Sequence, residues 1–95
     1  MILLRVLMKL LVNNHLVESS ILIKYPNSDI AQTILNAVNP DNFQAPKDLR
    51  ITMTISDDII MININSSKGI GSLLNTIDDL LGCISAAEKV LNRLS

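Results

Sequence analysis

The side chains in this chain that could do chemistry are few and poorly placed for it. There is one histidine, His15, and one cysteine, Cys83. A metal site needs several His, Cys or carboxylate ligands at workable spacing, and a thiol nucleophile needs a base to take its proton. With no second histidine and no neighbouring cysteine, His15 reads as a strand-edge residue and Cys83 as a small thiol between Gly82 and Ile84 on a helix. The pairs Asp57 with Asp58 and Asp78 with Asp79 are adjacent in sequence, so their carboxylates diverge on a turn or helix and make poor acid and base partners. Turn formation, solvation and favourable charge near a helix start account for them. Gly69 and Gly71 stand between a strand and a helix as in a dinucleotide-binding turn, but position 74 is Leu and the strand ahead of them ends a hairpin. Their simpler role is a tight entry into the last helix. No catalytic residue, metal or cofactor is expected.

Composition points the same way. Ninety-five residues, 48% apolar and 18% charged, hold one core. A net charge of -1 supplies no global field for nucleic acid, and with no Trp and only Tyr25 and Phe43 as aromatics there is no stacking platform for single strands. The lone cysteine cannot form an internal disulfide, which fits a reducing compartment, and the cytoplasm is the expected location. Fourteen Ile and fifteen Leu make the chain greasy for its length. A domain of this size hides only about two thirds of its unfolded surface, so some of that apolar surface should remain outside and mark an interface.

The elements that would position any site follow from periodicity. Residues 1–13 read as an N-terminal extension and 14–95 as a single α+β domain. The apolar start is far short of the roughly 18 residues that cross a membrane, carries Arg5 and Lys9 inside it, and lacks the cleavage site of a signal peptide. It reads as a short helix or an edge strand docked on a partner, with Met8 as an alternative start. Residues 15–25 alternate, with Val17, Ile21, Ile23 and Tyr25 on one face and Leu16, Glu18, Ser20, Leu22 and Lys24 on the other. Pro26 ends this strand, and Asn27 or Ser28 caps a helix that buries Ile30, Ile34 and Val38. A loop rich in Asn, Asp and Pro follows, pinned by Phe43. Residues 49–56 and 59–65 form a hairpin across Asp57 and Asp58, with Leu49, Ile51, Met53 and Ile55 sharing one face and Ile60, Ile62 and Ile64 another. A long helix from about residue 70 to residue 94 ends the chain, with Leu73, Ile77, Leu80 and Ile84 turned to its own sheet.

The order β-α-β-β-α predicts a three-stranded antiparallel sheet with both helices on one face. The other face stays open, and Leu22, Thr52, Thr54, Ile59, Met61 and Asn63 on it form a mixed surface suited to a second copy or a paralogue. The last helix is apolar over more than the stripe one sheet covers. Leu74 and Leu81 widen it on one flank and Cys83 and Val90 on the other, and these four are the candidate contacts to a partner protein.

Several of these segments resemble the small dimerisation subunit of the KEOPS complex, the family related to the cancer/testis antigens. The resemblance rests on IAQTILNAVNPDN with Ala37 and Pro40, the strand around Ile51, Ser72 with Leu73, the Leu80 and Leu81 pair, and Ala87 with Glu88, and it spans about residues 16–91. It implies a noncatalytic subunit of the machine that makes N6-threonylcarbamoyladenosine in tRNA, one that dimerises and attaches by helix packing to the transferase subunit. Leu74 and Gly82 stand where family members often carry arginine, so tRNA is expected to be met indirectly or weakly. The competing reading is a small RNA-binding α+β module of KH-like build that would use Lys24, Lys47, Arg50 and Lys68, although it lacks a GXXG loop.

Overall fold

Rows of isoleucine set the layout. Ile21 and Ile23 on one strand stand opposite Ile62 and Ile60 on the next, and all four are fully buried under helices. The computed structural model describes residues 5–13, 16–38, 48–67 and 69–94. Its elements run β1 (Arg5–Asn13), β2 (Leu16–Lys24), α1 (Ser28–Ala37), β3 (Leu49–Ser56), β4 (Ile59–Ser66) and α2 (Ile70–Leu94).

The expected β-α-β-β-α arrangement is present from β2 to α2. β4 lies between β2 and β3, antiparallel to both, and α1 and α2 share one core on one side of the sheet. A fourth strand lies beside these three: β1 pairs antiparallel with β2, from Arg5 opposite Lys24 to Asn13 opposite Leu16, giving the order β1-β2-β4-β3. Of the two forms expected for the N-terminal segment, the strand is the one taken, and it docks on its own sheet. The apolar spacing in residues 1–12 serves a helix or a strand equally, and only the presence of a partner strand decides between them. Phe43, with His15, Lys47 and Lys68, lies outside the described residues.

The burial follows the alternation. On β2 the odd positions from Val17 to Ile23 are buried, and on β4 Ile60, Ile62 and Ile64 are. α2 contributes Leu73, Ile77, Leu80 and Ile84, as expected, and also Thr76. α1 buries Ala31 and Ile34, and its cap is Asn27, whose side-chain oxygen accepts from the Ile30 N–H at 2.9 Å.

Two local features carry a cost. The two-residue β3–β4 turn holds Asp57 at φ 57°, a left-handed conformation that glycine adopts more readily. Within the apolar layer, the Ser19 hydroxyl is buried opposite Ile64 and has no hydrogen-bond partner among the described residues. Asp57→Gly should therefore raise stability by about 0.5–1 kcal/mol in denaturant titrations. Ser19→Ala removes an unpaired buried hydroxyl, whose desolvation costs roughly 1–3 kcal/mol. It should be neutral or stabilising by the same measurement, whereas Ile21→Ala should cost about 2–5 kcal/mol.

Candidate interaction surfaces

The sheet face away from the helices is built in cross-strand rows. Leu22, Met61 and Thr54 form one row, Ser20, Asn63 and Thr52 the next, and Glu18, Asn65 and Arg50 a third. Alternation puts them there, because each is the neighbour of a residue that packs on the core and must point the other way. Met61 is 42% exposed, Thr52 and Thr54 are exposed, and Leu22, Ile59 and Asn63 are half-buried. At the centre the Ser20 hydroxyl donates to Asn63 Oδ1 at 2.9 Å. The six residues expected to face a second copy are thus all on one surface, apolar at Leu22, Met61 and Ile59 and polar at Asn63, Thr52 and Thr54.

The four expected contact residues of α2 do not form one patch. Leu74 and Cys83 are nine positions apart, as are Leu81 and Val90, and at about 100° per residue each pair spans opposite sides of the helix. Leu74 with Leu81 therefore follows one flank of the buried row, and Cys83 with Val90 the other. Leu74 is 48% exposed, Val90 57%, and Cys83 is exposed. Leu81 is half-buried and packs against the core, so it is divided between the chain's own fold and its surface.

The C-terminal half of α2 is pinned to the sheet by one polar contact. The Tyr25 hydroxyl donates to Glu88 Oε2 at 2.9 Å across 63 positions of sequence, and the Tyr25 backbone N–H donates to the Asp58 carbonyl. Tyr25 is 1% exposed. Burial, then the hydrogen bond to Glu88, then the negative charge of Glu88 push the phenol's pKa well above its ordinary value. Sequence reasoning placed Tyr25 in the core but missed this partner, because neither residue signals the other at that separation.

Nothing in the described residues assembles into a reaction centre. No three His, Cys, Asp or Glu side chains come together as metal ligands. Among the described residues no helix is long and apolar enough to cross a membrane. An open cleft of about 380 Å³ lies where β2 and β3 begin and β4 ends, lined by Leu16, Asp48, Leu49, Arg50, Asn65, Ser66 and Ser67. Its described lining holds a guanidinium, a carboxylate and hydroxyls. Of the basic residues weighed for RNA, Lys24 and Arg50 stand at opposite ends of the open face, six positions apart along β4, roughly 20 Å.

Fold and surfaces together define a small two-layer α+β domain that keeps apolar side chains exposed on both layers. Residues 18–92 match the profile of the family Pcc1, described as transcription factor Pcc1, and the chain belongs to that family, which is the family of the small KEOPS subunit. Membership makes it a KEOPS-associated subunit and ties it to a tRNA-related processing complex. No curated protein matches the chain.

The Tyr25–Glu88 contact sets a pH dependence. A phenol whose pKa is raised by folding stabilises the fold at every pH below its unfolded value of 10.0. That stabilisation is lost above pH 10, as the unfolded chain ionises first. Tyr25→Phe should cost about 1.5–3 kcal/mol near pH 7, the scale of a hydrogen bond to a charged group. The gap between the two proteins in urea titrations should narrow as the pH rises past 10.

Proposed function

We propose that this chain is a noncatalytic assembly subunit of KEOPS that supports formation of N6-threonylcarbamoyladenosine in tRNA by bridging or stabilising the threonylcarbamoyl transferase subunit. It pairs with a second copy or a paralogue through the open face of its sheet and offers the flanks of α2 to the transferase. The observation that carries this reading is the exposure of Leu74 and Val90 on a helix whose buried row is already committed to its own sheet. Met61 adds an exposed apolar side chain on the opposite layer.

Energetics favour docking through several such residues at once. Each Leu or Val that becomes fully buried contributes roughly 1.5–3 kcal/mol, while association costs an estimated 4–15 kcal/mol in lost freedom. One residue is too little, and a flank of several with its surroundings is enough. Contact with tRNA falls to the rest of the complex, since Leu74 and Gly82 offer no charge and Lys24 and Arg50 lie far apart.

Leu74→Asp and Val90→Asp are the clean probes, whereas Leu81→Asp would also disturb the core against which Leu81 packs. At exposed sites each change should stay within about 0.5 kcal/mol of wild-type stability. At least one should weaken binding to the transferase subunit tenfold or more by calorimetry. Met61→Asp should lower the mass of the free chain's assembly in light scattering and spare transferase binding. If both helix variants bind like the wild type, the helix flanks are not the docking site.

A further inference from the structure

The two halves of α2 are held to the sheet in different ways. Of residues 70–81, Leu73, Thr76, Ile77 and Leu80 are buried, whereas of residues 83–91 only Ile84 is. Ala87 and Leu91 continue the apolar row and pack against the core, but both are half-buried. The second half makes up for this with the hydrogen bond from the Tyr25 hydroxyl to Glu88 Oε2. Tyr25 is the fixed end of that bond. It is buried, and its backbone N–H is tied to the Asp58 carbonyl at 2.9 Å, so it moves with the sheet. Glu88 is the movable end, half-buried on the helix.

Gly82 stands at the boundary. It is exposed, and beyond its own stretch of helix no atom lies within 4 Å of where a Cβ would sit. Neither packing nor a close approach calls for glycine there. Inside a helix glycine holds its conformation less firmly than alanine, because it gives up more backbone freedom. The helix is therefore weakest where its buried row is about to thin, six residues or about 9 Å before Glu88.

The candidate contact residues divide at the same point. Leu74 and Leu81 precede Gly82, and Cys83 and Val90 follow it. One flank thus has both its residues in the anchored half, and the other has both in the half held by Tyr25.

We propose that α2 works as two units joined at Gly82, with the Tyr25–Glu88 hydrogen bond as a latch that fixes the second unit and can release the Val90 flank while the Leu74 flank stays in place. The role in docking rests on the reading of those flanks as contact surfaces, whereas the two-unit behaviour of the free chain does not. A partner on the Leu74 side meets a surface already set. A partner on the Val90 side meets a segment it can draw from the sheet by breaking one hydrogen bond, which also uncovers Ala87 and Leu91 as further apolar contacts.

Residue-resolved amide hydrogen exchange of the full chain tests this under native conditions. Amides of residues 86–91 should share one protection value, tenfold or more below that of residues 73–81, with no gradient towards the terminus. Tyr25→Phe and Glu88→Ala should each lower that value about tenfold or more, and Glu88→Gln, which keeps an acceptor, should lower it less. Gly82→Ala should raise it roughly four- to fivefold. Leu73→Ala should lower protection over residues 73–81 and leave residues 86–91 unchanged, because the second unit opens with Leu73 still packed. Equal protection in both halves, a fall in both on Leu73→Ala, a graded loss towards the terminus, or no response to Tyr25→Phe would overturn the proposal. Calorimetry with the transferase subunit tests the release itself. If Val90→Asp weakens binding, Tyr25→Phe should strengthen it several-fold, since the latch no longer has to be broken, and weaker binding by Tyr25→Phe would refute the release. If Val90→Asp binds like the wild type, docking on this flank fails, and the exchange data still decide whether α2 is two units.

Discussion

The structure turns on a mismatch between faces and covers. Four strands make a sheet with two faces, and the chain's two described helices lie on one of them. The isoleucines of β2 and β4 and the row from Leu73 to Ile84 on α2 make that covered side dry. On the other side Leu22, Met61 and Ile59 lie among polar neighbours that include Ser20, Lys24, Asn63 and the threonines. The covering helix is itself larger than its task. At 25 residues α2 is about 37 Å long, whereas a strand of eight spans roughly 27 Å, so the helix has flanks and an end that its own sheet does not need. The Tyr25–Glu88 contact is placed where that surplus begins, in the C-terminal half of α2, and holds the helix down with a hydrogen bond where apolar cover thins.

Much of this was legible in the sequence, because the core is written in period-two and heptad spacing. Val17, Ile21, Ile23 and Tyr25, the even-numbered isoleucines of β4, and Leu73, Ile77, Leu80 and Ile84 all sit where their spacing places them. The division of α2 into two flanks is likewise a matter of counting residues. What stayed illegible depends on partners rather than periods. The N-terminal segment becomes a strand because β2 is there to pair with it, and no pattern within the segment states that. Leu81 looks as free as Leu74 on a helical wheel, yet it packs against the core, because how far neighbouring elements reach around a helix is set by packing. The Glu88 partner of Tyr25, the unpaired Ser19 hydroxyl and the left-handed Asp57 are three-dimensional facts of the same kind.

For the candidate surfaces, spacing told which residues would be exposed but not which would act together. Leu74 and Val90 are placed on opposite flanks of α2 by their spacing, separated by the width of a helix. The open-face residues were grouped by alternation and do share a surface, because strand registry carries alternation from one strand to the next. Sheets keep such groupings and helices divide them, since a strand has two sides and a helix has a circumference.

A chain with this much exposed apolar surface must still avoid indiscriminate association, and its charge does little to help. A net charge of -1 leaves almost no long-range repulsion between copies. Selectivity then has to come from positions where a wrong register leaves something unmatched. The Ser20–Asn63 pair is one such place: Asn63 uses its carbonyl oxygen to accept from Ser20, and its amide donors need an acceptor if a partner covers them. A stacked partner that offers none would bury an unsatisfied amide, at roughly 1–3 kcal/mol for each group so stranded. Apolar side chains therefore supply the attraction on this surface, and the few polar groups among them decide which arrangements are penalised.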